Sequence, residues 1–378
     1  MKKTFTIFFS IVLVSPSVLA WNVIDNKETG TRFDIYGGLS LSYITTSTKT
    51  SNAATDIRTK THYHTPVQND STRIYMNLQQ SVGGDYYLRL HNQLRFGSTT
   101  GYAHHHRHNF GKLYSHTFFG GFGHKIYGEF TYGNQNVFTD YIKQTDKANT
   151  HSIADGLQRS VERKVFQYVN KGAIKGLEFG AYYGGAESLS VFQTKLANKR
   201  KNVWGLGVIH KQQIDDRQKY VLAVGFSQMR NHVTNTDRTG RTTIYSMGSS
   251  YSYDKTTIAF DLDQRLTKSI KSLTEDRTET EARFLIWQDL TPQWAIYSQY
   301  MDTHNKVKHL LNDAPTYKGK VKKFKIGTEY YIIPKYVRVA LEWQTIRTKT
   351  YEPSTANSSS EYKRTRENAT ILGLRIIY

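Results

Sequence analysis

Apolar and polar residues alternate along most of the chain, in one segment after another. In the segment YYLRLHNQLRF, Leu88, Leu90 and Leu94 share one face, whereas Arg89 and His91 share the other. Side chains of a β-strand point to opposite faces at successive residues, so this pattern predicts strands that are apolar on one side and wet on the other. The same alternation recurs in TRFDIYGGLSLSYI, TRIYMNLQ, KYVRVALEWQ and the final TILGLRIIY.

The connections between these segments alternate between short and long. Short turns, rich in glycine, aspartate and proline, are predicted at 83–85, 123–125, 175–176, 215–217, 254–255, 291–293 and 334–335. Long polar loops are predicted at 46–70, 97–112, 134–162, 187–201, 230–241, 267–280, 303–320 and 348–366. Seven turns and eight loops join sixteen strands. We expect strands of about ten residues, the length that crosses a bilayer at a tilt.

The amino-terminal segment MKKTFTIFFSIVLVSPSVLA has two lysines, then a short apolar run, then small residues. This layout is typical of a secretory signal peptide over residues 1–20, with a mature chain at 21–378. A transmembrane anchor is the alternative, but about twenty apolar residues are needed to span a bilayer as a helix. After residue 20 no apolar stretch approaches that length.

An all-β fold of this pattern could be a secreted sandwich or a membrane barrel. The strict long and short alternation and the lack of a linker favour the barrel, and so do apolar-face aromatics near strand ends. Those aromatics are Tyr43, Tyr87, Phe96, Tyr183, Trp204, Tyr220, Phe226, Trp294, Tyr300 and Trp343. The prediction is a transmembrane antiparallel β-barrel in which strand 366–378 closes onto strand 31–45 and Tyr378 joins the aromatic belt.

Composition narrows the class of partner. The chain contains 27 tyrosines and no cysteine, and its formal net charge is +20. A basic exported chain has anionic lipids or anionic solutes as partners, and export argues against nucleic acid. The lack of cysteine means that stability comes from an extended fold rather than from cross-links.

Several motifs resemble those of the general diffusion porins of the Gram-negative outer membrane. They are FDIYGGLSLSY, STRIYMNL, YGEFTYGNQNVFTDYI, VFQYVNKGAIKGLEFGAYYGG and the final ILGLRIIY. The resemblance implies a homotrimer of sixteen-stranded barrels in outer-membrane lipid and lipopolysaccharide. It also implies that the third loop, about 134–162, folds into the lumen of a water-filled channel for small hydrophilic solutes and ions.

The polar face of each predicted strand supplies candidate residues for the pore. The predicted pore-lining and constriction residues are Arg73, Arg89, Arg95, His116, Asp140, Asp146, Asp155, Arg159, Arg163, Lys323, Lys325, Arg338 and Arg375. Inward acids are fewer, namely Glu129, Glu178, Asp261, Asp263, Glu329 and Glu342. If the loop acids face a basic wall led by Arg73, the channel prefers anions. Alternatively, the cations lie at the rims and bind lipopolysaccharide phosphates.

Two other functions remain open from the residues. A tyrosine-rich lumen also suits a selective channel for anionic sugars or phosphate-containing solutes. A barrel enzyme would need a nucleophile or activated water beside a base, and His91, His116, Ser40 and Asp261 could meet in a lumen. No motif with mechanistic spacing selects them, so we expect no enzyme.

The HHHRH cluster at 104–108 is a candidate metal site, because histidine clusters can bind zinc or copper. We interpret it as part of a solvated loop, and we expect neither a metal nor a cofactor.

Overall fold

The computed structural model describes residues 21–52, 58–96, 110–147, 152–190, 194–232, 239–268, 275–309, 317–352 and 361–378. The predicted signal peptide and the histidine cluster lie outside these residues. Among the described residues, no helix has both the length and the apolar character needed to cross a membrane.

The described residues form twenty strands and one short 3₁₀ helix, η1 (Phe138–Ile142). The strands are β1 (Trp21–Asn26), β2 (Thr31–Asn52), β3 (Arg58–His64), β4 (Gln68–Asn69), β5 (Arg73–Gly83), β6 (Tyr86–Phe96), β7 (Leu113–His124), β8 (Gly128–Asn136), β9 (Val161–Ile174), β10 (Leu177–Gly184), β11 (Glu187–Leu189), β12 (Lys195–Gln213), β13 (Gln218–His232), β14 (Thr239–Tyr253), β15 (Thr256–Lys268), β16 (Glu275–Thr291), β17 (Trp294–His309), β18 (Tyr317–Ile333), β19 (Val337–Glu352) and β20 (Glu361–Ile377). Sixteen of them, β2, β5–β10 and β12–β20, form a closed antiparallel barrel.

The barrel closes where its last strand pairs with its first. β20 runs antiparallel to β2 from the pair Ile377–Gly38 to the pair Lys363–Asn52. The backbone N–H of Gly37 donates to the Tyr378 carbonyl at 2.8 Å, and the Tyr378 N–H donates back to Gly37 at 3.1 Å. The predicted closure is confirmed, and it leaves neither β2 nor β20 as a free edge. β1 extends the seam by pairing with β2 from Trp21–Ile35 to Asn26–Thr31.

The alternation of short and long connections is confirmed, but the predicted loop bounds are wrong. β12 begins at Lys195, and β18 begins at Tyr317, inside segments predicted as loops. β2 runs for 22 residues, about twice the expected length. The reason is that a strand continuing into water is polar on both faces, so it keeps its backbone ladder but loses the apolar alternation that marks it in sequence.

The outward face carries the predicted apolar residues. Leu88 and Leu90 of β6 are 50% and 42% exposed, and Phe122 of β7 is 56% exposed. Aromatic side chains such as Trp343 join them on the outer surface. One assignment is wrong, because the hydroxyl of Tyr87 donates to Glu129 inside the barrel. Tyrosine has an apolar ring and a polar tip, so sequence alone does not place it on one face.

The arrangement predicts which barrel end faces the cell exterior. In outer-membrane barrels long loops are extracellular and short turns periplasmic. The chain lacks native cysteine, so single-cysteine variants give an unambiguous label. We expect an impermeant thiol reagent on intact cells to label Thr61→Cys and Lys363→Cys but not Asp216→Cys, which lies in the turn between β12 and β13. Labelling of Asp216→Cys alone would invert the assigned topology.

Candidate functional site: a lumen narrowed by the third loop

The third loop connects β8 to β9, and its described residues, 137–147 and 152–160, pack against the inner wall of the barrel. Its η1 helix buries Phe138 and Ile142 completely, or nearly so, against Ile209, Val221 and Ala223 of β12 and β13. Burial of each of these two side chains is worth about 1.5–3 kcal/mol. An apolar patch on an otherwise polar wall, here called the apolar window, therefore holds the loop in place.

Glycines make this window deep enough. Gly180, Gly207 and Gly225 lie directly opposite one another on β10, β12 and β13. A Cβ atom on Gly180 would lie 2.5 Å from the ring of Phe138, and one on Gly225 would lie 2.7 Å from Cγ1 of Ile142. The row forms a groove in the wall because none of its members has a side chain, and η1 fills that groove.

Two buried carboxylates tie the loop backbone to β15. Asp261 accepts hydrogen bonds from the N–H groups of Gln144 at 2.8 Å and Thr145 at 3.0 Å. Asp263 accepts from the N–H of Leu157 at 2.9 Å. These acids were predicted to point inward, and they do, but the third loop covers them, so both are at most 2% exposed. They satisfy loop N–H groups that would otherwise be buried without partners.

Arg283 of β16 compensates the charge of these carboxylates. Its guanidinium lies 2.8 Å from Asp263 and 3.4 Å from Asp261, and a third acid, Glu281, lies at 2.7 Å. The arginine is 1% exposed. Buried charges of this kind persist only when paired, so the group is part of the anchoring of the loop.

Two of the basic residues predicted to line the pore, Lys325 and Arg338, are members of buried ion pairs. The Lys325 ammonium lies 2.8 Å from Glu342, and Arg338 lies 3.1 Å from Glu329. His116 is also buried. Lys325 and Arg338 point inward, as their strand parity predicts, whereas His116 lies at a register shift between β6 and β7. Burial removes all three from the water-facing set. Sequence parity gives the direction of a side chain and does not tell whether other groups cover it.

The acids of the third loop are partly compensated within the loop. Lys143 lies 2.9 Å from Asp140 and 3.2 Å from Asp146. Burial by itself would lower the pKa of Lys143, but the two carboxylates outweigh that effect and its pKa is raised. The ammonium therefore stays charged and compensates one of the two carboxylates. Farther along, Asp155 is exposed.

The remaining predicted loop cations are paired with glutamates near the start of β9 and in β11. Arg159 lies 2.6 Å from Glu162, and Arg163 lies 3.5 Å from Glu187. Arg200 of β12 also contacts Glu162, at 2.8 Å. These contacts hold the end of the loop against the wall rather than leaving its cations in open water.

Opposite η1, the wall formed by β5–β9 encloses a cavity of about 530 Å³. Arg73, Arg89 and Arg95 line it from the wall, and Tyr141 lines it from the loop. Thus three of the predicted pore residues line one cavity, and a residue of the third loop lines the same cavity. Of the other two inward cations, Lys323 of β18 is half-buried, and Arg375 of β20 is half-buried opposite Arg338.

The charge of the cavity lining is strongly positive. Lys125 and Lys171 add to the three arginines, and Glu129 is the one carboxylate among the described lining residues. Arg89 lies 3.2 Å from Glu129 and compensates it. Lys125 is paired with Asp85 at 2.8 Å, outside the lining. Arg73, Arg95 and Lys171 are the cations of the lining left in excess of these two pairs.

An aromatic track that the sequence analysis missed runs along the same wall. Tyr36 and Tyr75 stack with ring centroids 4.7 Å apart, and His91 stacks on Phe119 at 4.7 Å. Tyr75 and His91 approach to 6.0 Å and join the two pairs. The available signal was an aromatic residue on the polar face of a strand, as Tyr36 and Tyr75 are.

The candidate catalytic residues do not assemble into one group. The ring nitrogens of His91 contact Asn77 and Thr117. Asp261 is occupied by the third loop on another part of the wall. Within the described part of the chain, no group of three histidines or acids could hold a metal ion.

Comparison with known proteins adds the fold family. No protein-family model matches the chain, and no curated protein is significantly similar in sequence. Solved structures do match over nearly the whole chain. The chain has the fold of outer-membrane porins. DcaP, an outer-membrane channel of Acinetobacter baumannii, matches with a TM-score of 0.64 at 11% identity, over 94% of this chain and 99% of DcaP.

Two other solved structures match to a similar extent. OmpT, an outer-membrane protein of Vibrio cholerae, matches with a TM-score of 0.63 at 13% identity, over 92% of this chain and 98% of OmpT. The anion-selective porin of Comamonas acidovorans matches with a TM-score of 0.60 at 13% identity, over 92% of this chain and 100% of that porin. At such low identity the porin fold is what these matches establish.

The glycine groove yields a test of how the third loop is held. Gly225→Val places methyl groups where Ile142 packs, so η1 should lose its seat and about 1.5–3 kcal/mol of burial. We expect single-channel conductance to rise because the loop leaves the wall. Gly185→Val is the matched control, since a Cβ there meets no atom within 4 Å. Equal conductance in both variants would contradict the groove as the seat.

The buried ion pair Arg338–Glu329 yields a stability test. Glu329→Ala should leave the guanidinium buried without its carboxylate and lower the free energy of unfolding by about 3–5 kcal/mol. The double variant Arg338→Met, Glu329→Leu replaces both charges by apolar groups and should recover most of that loss. Urea unfolding of the folded barrel in detergent measures both effects, and a single variant as stable as the unmodified protein would contradict the pairing.

Proposed function

We propose that the protein is an outer-membrane porin, a water-filled channel for passive diffusion of small hydrophilic solutes and ions with a preference for anions. The observation that supports it is the lining of the cavity. Arg73, Arg89 and Arg95 stand on one wall, and Tyr141 of the inward third loop stands opposite. Rings of charged side chains select ions by sign in other channels.

The charge distribution supports anion preference rather than neutrality. The lining has five cations and one carboxylate among its described residues. The acids of the loop contribute little opposing charge, because Lys143 compensates one of Asp140 and Asp146. The Debye length at physiological ionic strength is about 8 Å, so charges on both sides of a narrowed lumen still act on a permeating ion.

The proposal includes the cellular context. Residues 1–20 would act as a cleaved signal peptide, the mature barrel would lie in the outer membrane of a Gram-negative bacterium, and three copies would assemble around a threefold axis. Outer-membrane lipid and lipopolysaccharide would surround the trimer. The channel acts without catalysis, and the described contacts of His91 and Asp261 fit that assignment.

The selectivity is tested by the reversal potential of purified protein in a planar bilayer with a salt gradient. We expect anion selectivity at low salt, reduced in the variant Arg73→Gln, Arg89→Gln, which also exposes the Glu129 carboxylate. At 1 M salt the difference should largely vanish, because the Debye length falls to about 3 Å. The control Arg230→Gln, Arg241→Gln removes the same charge from a cross-strand pair outside the lumen and should change nothing. Cation selectivity of the unmodified protein would overturn the proposal.

A second candidate function is a selective channel for anionic sugars or phosphate-containing solutes. The aromatic track Tyr36, Tyr75, His91, Phe119 favours it, because flat rings beside arginines fit a sugar face and its acidic group together. Arg89 lies over the Phe119 ring at 5.5 Å, which brings the two kinds of contact into one place. Binding sites generally combine apolar walls with a few such polar groups.

The two candidates differ in how the current responds to a sugar acid such as glucuronate. A selective channel should show saturable block, and Tyr75→Leu should weaken it roughly tenfold, the equivalent of about 1.4 kcal/mol. Tyr245→Leu, which alters an exposed aromatic residue of β14, is the control. Block that never saturates would leave the unselective channel as the function.

A further inference from the structure

Three strands, β3, β4 and β5, pair in turn with the same edge of β2. β5 pairs with β2 as far as the pair Arg73–Gly38, and β4 resumes the pairing at Asn69–Leu41. Residues 70–72 therefore lie opposite only two residues of β2, and the extra residue makes a β-bulge. Bulges recur beside functional sites, where they change the direction in which a side chain points.

Side chains of the bulge replace the hydrogen bonds of the interrupted ladder. The hydroxyl group of Thr72 accepts from the N–H of Ser40 at 3.0 Å and donates to the carbonyl of Ser40 at 3.3 Å. The N–H of Thr72 donates to the side-chain oxygen of Asn69 at 2.8 Å. Thr72 is 6% exposed, so these contacts are shielded from water. The bulge is therefore a fixed part of the wall, with its backbone groups satisfied.

Ser71, in the middle of the bulge, has a backbone conformation that is rare for serine. Its φ angle is +70°, in the left-handed region that residues other than glycine, asparagine and aspartate seldom adopt. Asp254 and Lys335 also have positive φ angles, but they lie in turns where the chain reverses between neighbouring strands. The chain does not reverse at Ser71, because β4 and β5 pair with the same edge of β2. Strained residues of this kind are concentrated at functional sites.

The strained backbone places Ser71 against the guanidinium group of Arg73. The carbonyl of Ser71 accepts from Nε of Arg73 at 3.1 Å, and the hydroxyl of Ser71 accepts from Nη2 at 3.1 Å. The hydroxyl of Tyr75 accepts from Nη1, also at 3.1 Å. Tyr75 is itself held by stacking on Tyr36, with ring centroids 4.7 Å apart. All three nitrogen atoms of the guanidinium are thus held by neighbours on its own strand segment.

These three acceptors are neutral, so they hold the guanidinium without cancelling its charge. Arg89 differs, because it lies 3.2 Å from the carboxylate of Glu129. Arg73 also pairs directly with Arg95 across the sheet, and like charges in that arrangement repel each other. A long side chain without a fixed partner samples many rotamers and would turn away from its neighbour. The contacts with Ser71 therefore keep the charge of Arg73 beside that of Arg95.

We propose that Ser71 is a positioning residue for Arg73 and that it sets, through Arg73, the strength of the anion preference. The inference rests on the proposed function, because Arg73 lines the cavity to which that preference is assigned. Ser71 contributes in two ways. Its left-handed backbone presents the carbonyl to Nε, and its side chain presents the hydroxyl to Nη2. A charge that stays in one place in the lumen acts on every permeating ion.

The test measures reversal potentials of the purified protein in a planar bilayer with a KCl gradient at low salt. Ser71→Ala removes the hydroxyl, and we expect it to lower the ratio of anion to cation permeability by roughly twofold, since a hydrogen bond to a charged group is lost. Ser71→Asn should retain most of the ratio, because asparagine tolerates the left-handed region and offers a side-chain oxygen. Ser190→Ala is the matched control, since its hydroxyl contacts Thr194 away from the cavity lining; it should change nothing.

A double-mutant cycle separates a positioning role from a structural one. In the background Arg73→Gln, the further change Ser71→Ala should leave the permeability ratio where it is, because the group on which Ser71 acts is gone. Tyr75→Phe removes the acceptor of Nη1 and gives a second arm should Ser71→Ala not fold. It should also lower the ratio, and again only while Arg73 is present.

Each failure has a distinct meaning. An unchanged ratio in Ser71→Ala, or the same drop with and without Arg73, would overturn the positioning role. Equal losses in Ser71→Ala and Ser71→Asn would overturn the role of the hydrogen bond to Nη2. A channel that responds to Arg73→Gln but not to Ser71→Ala would contradict this inference and leave the proposed function standing. Cation selectivity of the unmodified protein would instead contradict the proposed function itself.

Discussion

The requirement that every backbone N–H and C=O be paired inside a hydrocarbon layer dictates this structure. A sheet meets it only by closing, and here the closure is the pairing of β20 with β2, from Ile377–Gly38 to Lys363–Asn52. Once the sheet is closed, each strand has one face toward lipid and one toward the lumen. The alternation of apolar and polar residues and the inward direction of the arginines both follow from this one condition.

A polar inner wall would hold a folded-in loop poorly, because it offers water-like contacts and no apolar burial. The third loop is held by two devices that address this. The row of glycines on β10, β12 and β13 leaves a groove in which Phe138 and Ile142 pack. Asp261 and Asp263 then bind backbone N–H groups of the loop. Since those carboxylates contact backbone, the loop surface that faces the pore can vary without loss of its anchor.

The sequence predicted what depends on strand parity and missed what depends on contact between distant segments. Parity was sufficient for the barrel, its closure and the inward direction of Arg73 and Arg89. It was insufficient for Lys325, which points inward yet is completely buried with Glu342, because coverage by other side chains has no local signal. Strand ends were also missed, since polar extensions such as the start of β18 lack alternation. The wall that receives the loop becomes evident once Gly207 and Gly225 are known to be in register.

Parity also decides what each cation of this basic chain can act on. Arg375 and Arg366 lie on the same strand, but Arg375 pairs with Ser40 and faces inward, whereas Arg366 pairs with Lys49 and faces outward. They are nine residues apart, or about 30 Å along the strand. A one-residue slip of register would exchange the two faces of the whole strand. Net charge therefore does not determine selectivity in such a barrel; the same +20 can act on solutes in the lumen or lie outside it, according to the face on which each residue stands.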